Sequence, residues 1–538
     1  MGVTAGDLRR TAAFGPGVVK FVRHDMRLAD ARREIERRMA SRGERFLRVL
    51  ERAVYRNPRS PYLRLLRWAD VEYPDVERMV ADRGLDPALR ALHDAGVYVT
   101  FDEFKGREPI VRHGRSFTPS PEDFGNPLVR PYSFGRTGGS TGPSVRVPKS
   151  WANQWDVSVN LMVHLDAHGL LDTRSALWFS TPDVAVQTIL NYSTHHKTVD
   201  EWFAPPPQDS SRTHRAFLRY FLLAGRLGGL AIPSPRPVTL EQAEVVADWA
   251  ARTRDRHGSA MINGYMSQMV RVAHAAARRG LDLSGITMIG SGEPTTPAKI
   301  QTITATGARF VSEYWSNELG PIALACAEPD DGSDLHLQMD RLALIQRPQQ
   351  VPGSDLTVDA FCFTSLLPSA PMTLLNAELD DYGGFEQRSC GCPIEALGLT
   401  EHVRDVRSYR KLTGEGVTLV GGQMEHILED VLPTRFGGSS LDYQLVEEED
   451  DRGLTRLVLA VSPDVAIADE DEVVRTVLNA IQHSDRLGEY TAALWERAGT
   501  LRVRRQQPVR TGAGKLMPLH VARKEARART PQTKGGDQ

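Results

Sequence analysis

The chain has 538 residues, 41% of them hydrophobic and 25% charged, with a formal net charge of −2. That length implies two or three domains rather than one, and the balanced charge excludes the basic face expected of a nucleic-acid-binding protein. No apolar run approaches the roughly 18 residues that span a bilayer, the first ten residues lack the charged-then-apolar order of a signal peptide, and four cysteines make no disulfide scaffold, so a cytoplasmic protein without membrane contact is expected.

Residues 21–93 are rich in Arg, Glu, Leu and Ala. Helical periodicity over Ala31–Val54 and Val76–Ala95 predicts helices there, with their charges on solvated faces. Val97–Phe101 has the β-branched and aromatic content of a strand. Trp151–Ala167 reads as a helix, and Ser175–Ser180 as a buried strand before a turn at Pro182. Two further helices are expected over Glu241–Arg254 and Met261–Arg279. A strand at Ile286–Ile289, a helix over Pro297–Thr306 and a strand from Arg309 to Ser312 then alternate as in a mixed α/β sheet with crossovers. After residue 405 the pattern is that of a short α+β unit. Met424, Ile427, Leu428 and Val431 share one helix face, Leu457–Val461 is a strand, Asp471–Gln482 a helix and Leu501–Arg504 a last strand. Residues 522–538 are polar and are expected to be disordered.

The chain is organised around Thr137-Gly138-Gly139-Ser140-Thr141-Gly142-Pro143-Ser144. Glycines let backbone N–H groups turn inward and hydroxyls add donors, so such a loop can wrap phosphate oxygens. Read alone it is more often a plain flexible turn, and it is not a Walker loop, because no Gly-Lys-Ser/Thr follows. Downstream come Ser291-Gly292-Glu293-Pro294 at a strand end, Tyr314-Trp315-Ser316-Asn317-Glu318 past the next strand, and Cys326 and Leu335-His336-Leu337. Ligands usually sit at such strand ends in α/β sheets. Glu318 is a hard oxygen ligand of the kind that holds Mg²⁺ on nucleotide phosphates. Taken singly, each stretch is more often a structural turn.

Taken in order, these stretches resemble the adenylate-forming (ANL) superfamily, in its phenylacetate–CoA ligase-like branch. The glycine–hydroxyl loop matches the superfamily's phosphate loop, with Pro143-Ser144 where the family has Lys-Pro. The resemblance implies Thr137, Gly138, Gly139, Ser140, Thr141 and Gly142 on the ATP phosphates. It implies Gly292, Glu293, Pro294 and Tyr314 around the adenine, Asn317 beside the phosphates and Glu318 on Mg²⁺. Trp315 stands where the family has Gly, which shrinks the acyl pocket and favours a small or unusual acid. Asp381 corresponds to the carboxylate that accepts from the ribose hydroxyls, although the arginines around it are lost. Arg407 matches the nucleotide-contacting arginine of the hinge motif, where Tyr409 replaces the hinge aspartate. Gly416–Leu428 follows the family closely. Arg510-Thr511-Gly-Ala-Gly514-Lys515 resembles the C-terminal lysine motif. With only nine lysines in the chain, Lys515 stands out as the ammonium that neutralises charge between carboxylate and α-phosphate.

The implied fold class is α/β, a large N-terminal mixed-sheet adenylation domain with a small mobile C-terminal α+β domain. The boundaries expected are a helical extension over 1–95, the ATP- and acyl-binding domain over 96–405, the mobile domain over 406–521 and a tail over 522–538. ATP and Mg²⁺ are the implied cofactors. The implied reaction is activation of a small-molecule acid as acyl-adenylate, with CoA, an amine or a carrier protein as acceptor and CoA the default. A nucleotide-binding relative without turnover is the rival reading, and a homodimer is allowed. Cys326, His336, Cys390 and Cys392, spaced as Cys-x9-His followed by Ser-Cys-Gly-Cys-Pro, can make a closed tetrahedral structural Zn²⁺ site. They are equally read as buried apolar cysteines with a surface histidine.

Overall fold

A computed structural model of the chain describes residues 5–136, 145–179, 182–205, 212–350, 357–408, 411–414, 417–420, 424, 426–438, 442–449, 455–483, 492–493, 495–509 and 519–521. The phosphate-loop candidate 137–144, Tyr409, Lys515 and the 522–538 tail lie outside them.

A twelve-stranded sheet dominates. The strands Arg236–Pro237, Glu201–Ala204, Ser175–Trp178, Ala260–Tyr265, Ile286–Ser291 and Arg309–Ser316 pair parallel to one another. From Arg309–Ser316 onward every pairing is antiparallel, through Gly320–Ala325, Leu335–Leu337, Glu401–Ser408, Ala377–Gln387, Thr357–Ser365 and Leu342–Gln350. Parallel pairing needs crossovers, which the helices Pro182–Ser193, Ala243–His257 and Met266–Arg278 supply. The face of Ala243–His257 that meets the sheet carries Val246, Ala247 and Ala250, small enough for helix and strands to lie close together.

The expected helix over Met261–Arg279 divides into the strand Ala260–Tyr265 and the helix Met266–Arg278. All six strand residues are buried, so no polar alternation marks them, and a continuous apolar run fits strand and helix equally. The expected Val97–Phe101 strand is reduced to one bridge, Val99 to Ala377, and Thr100 caps a short helix, Phe101–Phe104. Pro182 opens a helix instead of a turn, a position proline favours because the first helical N–H has no partner to lose.

The N-terminal helices are shorter than their periodicity implies. Gly84, at φ 82°, divides Tyr73–Arg83 from Leu85–Asp94, and Ser41 divides Leu28–Ala40 from Arg42–Val49. These helices share the main hydrophobic core with the sheet. Arg38, 1% exposed, ties them down by reaching Glu34, Asp156 and Asp340.

The later residues form a four-stranded sheet in the order Leu501–Arg505, Thr455–Val461, Tyr443–Glu449, Leu519–Val521, with the helix Glu470–Gln482 packed on it. The face expected to run Met424, Ile427, Leu428, Val431 instead ends on Leu432, which is fully buried while Val431 is partly exposed. Ile427–Val431 is a π-helical turn, and its wider turn moves the buried face by one residue. No described helix is long and apolar enough to cross a membrane.

Candidate active site

The sheet changes from parallel to antiparallel at Arg309–Ser316, and a cleft of about 400 Å³ opens at the C-terminal ends of the parallel strands there. Gly292, Glu293, Pro294, Tyr314, Asn317, Glu318, Asp381 and Arg407 all line it. They come from four stretches of chain: parallel pairing brings the first two together, while Asp381 and Arg407 come from the antiparallel strands Ala377–Gln387 and Glu401–Ser408. Tyr265 and Glu313 both pair with Ser291, so two strands end, and the parallel pairing of the third ends, at one level.

Gly292 turns the chain out of Ile286–Ser291 at φ 78°, and a Cβ there would lie 2.8 Å from the Tyr265 ring. Both the backbone angle and the space require glycine. Glu293 follows, buried, with Ser267 Oγ donating to its Oε1 at 2.7 Å. Tyr314 Oη donates to Asp381 Oδ2 at 2.6 Å. Burial and the Asp381 charge hold the phenol well above its usual range, so it remains a donor. Asp380, just before it, sits fully buried at φ 77°. That left-handed conformation costs a non-glycine residue about 1–3 kcal/mol and is typical of functional sites.

Glu318 lies in the tight connection between Arg309–Ser316 and Gly320–Ala325. Its Oε1 is 3.3 Å from Lys105 Nζ, and both side chains are 11% exposed. Lys105 follows the Phe101–Phe104 helix, its ammonium 5.4 and 5.1 Å from those two ring centres. A second lysine, Lys149, lines the cleft at the end of Arg146–Lys149, with burial lowering its pKa. Arg146–Lys149 pairs with Ser133–Arg136. This hairpin flanks the 137–144 loop, and Gly135 and Val147–Lys149 line the same cleft as Glu318. Glu447 of the smaller sheet is half-buried, and the loss of water raises its carboxyl to about 7, with Lys299 and Arg407 acting on it in the opposite sense.

Sequence reasoning passed over Lys105, Lys149, Tyr192, Asn263 and Glu313. The rarity that singled out Lys515 applies equally to the first two. Glu313 is 7% exposed and accepts from Trp315 Nε1 at 3.0 Å. Burial raises its carboxyl to about 7 from an ordinary 4.5. A carboxyl raised on folding contributes stability that is fully present below about pH 4.5 and lost as pH rises through about 7. Glu313→Gln is therefore expected to melt higher than the unsubstituted protein at pH 8, by on the order of 3 kcal/mol at most. The difference should vanish near pH 4.5. Melting curves across this range check it, and a constant offset would contradict it.

Cys326, His336, Cys390 and Cys392 form a second cluster, with one ligand atom from each lying within 4.8 Å of the others. His336 is fully buried rather than at the surface. Its Nδ1–H donates to the Leu399 carbonyl at 2.8 Å, which leaves Nε2 facing Cys392 Sγ at 3.1 Å and Cys390 Sγ at 3.6 Å. Glu395 fixes the cysteine turn by accepting from the Cys390 and Gly391 amides. Hydrogen bonding from Cys326, with the His336 ring beside it, holds the Cys392 thiol far below its usual range. Such a set can hold a tetrahedral metal ion. Asp334 and His402 also approach Cys326, but they are already paired with each other, and Asp334 with Arg388 as well.

No protein-family model and no curated protein matches the chain. Solved structures do. A 2-hydroxyisobutyryl-CoA ligase, in complex with 2-HIB-AMP and CoA, aligns at 12% identity over 93% of this chain and 91% of that one, with a TM-score of 0.51. The fold is that of the adenylate-forming enzymes. An amide bond synthetase from Marinactinospora thermotolerans aligns at 13% identity over 71% of this chain and 95% of that one, with a TM-score of 0.34. An anthranilate CoA ligase in complex with anthranoyl-AMP aligns at 11% identity over 82% and 78%, with a TM-score of 0.34. The assignment of the adenylate-forming fold rests on the first of these.

Proposed function

We propose that this chain activates a carboxylic acid with ATP and transfers the acyl group to a nucleophile. What supports this reading is the convergence of Gly292–Pro294, Tyr314–Glu318, Asp381 and Arg407 on one cleft at the parallel-to-antiparallel change of the sheet. In the first half-reaction a carboxylate oxygen attacks the α-phosphorus, the bond to the bridging oxygen breaks, and pyrophosphate leaves with that electron pair. In the second, the acceptor attacks the acyl carbon and AMP departs.

The adenine lies against Gly292–Pro294 and Tyr314, and the ribose hydroxyls donate to Asp381, whose orientation Tyr314 fixes. Glu318 and Asn317 face the phosphates. Mg²⁺ held by Glu318 would neutralise phosphate charge and favour the leaving group. The 137–144 loop would supply donors to the phosphates, and Lys515 would neutralise the charge between carboxylate and α-phosphate. The unit over 406–521 then reorients about residues 407–411 to admit the acceptor. CoA is the default acceptor, with an amine or a carrier protein as alternatives.

We further propose that Cys326, His336, Cys390 and Cys392 hold one structural Zn²⁺. Four protein ligands leave no open position for catalysis.

A screen of acids for pyrophosphate release, run with ATP and with or without CoA, tests the activity. Release with a subset of acids is expected, and ATP-dependent thioester formation with release of AMP identifies CoA as acceptor. The Lys105–Glu318 pair favours a second reading, a nucleotide-binding relative without turnover, because an ammonium already faces the carboxylate assigned to the metal. ATP binding without pyrophosphate release from any acid would establish that reading. Lys515→Ala is expected to lower adenylation at least about 100-fold while ATP affinity changes by less than about tenfold. Equal losses in both would contradict its role.

A further inference from the structure

The part of the cleft away from the nucleotide residues lies between the sheet and the helices Trp151–Ala167 and Pro182–Ser193. Its narrow wall is apolar: Trp315 packs on Val157, Leu161 and Leu324. Its floor is not. Glu313 lines it with one carboxylate oxygen on Trp315 Nε1, and among the described residues its other oxygen receives no hydrogen bond. Asn263, 4% exposed, donates to Tyr192 Oη at 3.1 Å, and its Oδ1 is buried with no partner. The neighbouring amides are already engaged, since Gln154 donates to the Gln187 carbonyl and to Asn191.

Asn263 Oδ1, buried without a partner, is costly unless something donates to it, and the second Glu313 oxygen, on the lining of the cleft, has spare capacity as well. Glu313 sits on the strand that carries Tyr314 and Glu318, so its position is fixed relative to the assigned nucleotide site. A ligand hydroxyl could satisfy only one of the acceptors, whereas an amino group has at least two N–H donors and can carry the charge that matches Glu313. Trp315 limits the length of what can enter.

We propose that the acid activated here is a small amino-substituted carboxylic acid whose nitrogen donates to Glu313, with Asn263 as the second acceptor. This rests on the adenylation reading and specifies its substrate class. Glu313 is then a specificity-determining residue, and the apolar wall holds the carbon skeleton between the amine and the carboxylate.

The test compares matched acids: 4-aminobenzoate, 4-hydroxybenzoate and 4-methylbenzoate, and likewise 3-aminobenzoate against 3-methylbenzoate and 4-aminobutyrate against pentanoate. Aryl and alkyl arms separate a neutral amine from an ammonium. Pyrophosphate release is measured with each, for the unsubstituted protein and for Glu313→Gln, with melting temperature as the check on folding. In at least one series kcat/KM for the amino acid should exceed that for its methyl counterpart by roughly tenfold or more, with the hydroxy acid between them. Glu313→Gln should reduce that preference by about tenfold, mainly through the KM of the amino member. Equal or better use of the methyl acids by the unsubstituted protein would overturn the proposal, even if the variant failed to fold. So would an undiminished preference in a folded variant. Release from no acid, with ATP binding retained, would instead overturn the adenylation reading and remove the basis of the inference.

Discussion

Glu318→Gln is expected to reduce pyrophosphate release by about 100-fold or more while ATP affinity falls less than tenfold. Glutamine keeps the shape and one acceptor but removes the negative charge that recruits a hard cation to phosphate oxygens. The carboxylate is shielded from water and faces one ammonium, Lys105 Nζ at 3.3 Å. In the free enzyme that pair keeps a nearly buried charge compensated. In the substrate complex Mg²⁺ would share or replace the contact, and the displaced ammonium would face phosphate oxygens instead. Lys105→Met is the companion variant. It leaves Glu318 uncompensated when empty and should raise the KM for ATP more than it lowers kcat. Steady-state pyrophosphate assays across a magnesium titration read both, and equal activity for Glu318→Gln at every magnesium concentration would rule out the metal role.

Loss of a single ligand from the cysteine–histidine cluster is expected to have the largest effect on stability. In a tetrahedral site with bonds of about 2.0–2.3 Å, ligand atoms stand roughly 3.3–3.8 Å apart. The His336–Cys392 and His336–Cys390 separations of 3.1 and 3.6 Å are close to that spacing. The histidine tautomer is already set by its bond to Leu399 O, which is how metal-binding histidines are usually held. Cys326, Cys392 and His336 are buried. They join the end of Gly320–Ala325, the short Leu335–Leu337 strand and the 390–392 turn, so the metal would staple the antiparallel half of the sheet. Purified protein should contain about one equivalent of zinc. Cys392→Ser should lose it and melt about 5–10 °C lower. Metal-free protein whose melting point is unmoved by Cys392→Ser would show an ordinary thiol cluster.

Much of the candidate site could be read from the sequence because its residues sit in short stretches that are locally self-explanatory. Gly292 needs its left-handed angle wherever the rest of the chain goes, and Glu293 and Pro294 are carried with it. The Tyr314–Glu318 stretch and Asp381 could be placed by order along the chain. Their pairing through Tyr314 Oη could not, because it joins residues 67 positions apart. The Lys105–Glu318 contact joins residues 213 apart, and no local pattern marks it. No local signal marks Glu313, because its burial comes from helices that precede it by more than 100 residues. In the fold, periodicity failed where it was uninformative, as in the fully buried Ala260–Tyr265 strand. It failed again where the backbone departed from 3.6 residues per turn, as at Ile427–Val431.

The central claim is that one ATP sits in the cleft where these separate stretches meet, and photolabelling with 8-azido-ATP followed by peptide mapping tests it most directly. Saturable labelling, competed by ATP, is expected on the segments 286–296 and 309–318. Competed labelling confined to other segments would contradict the account.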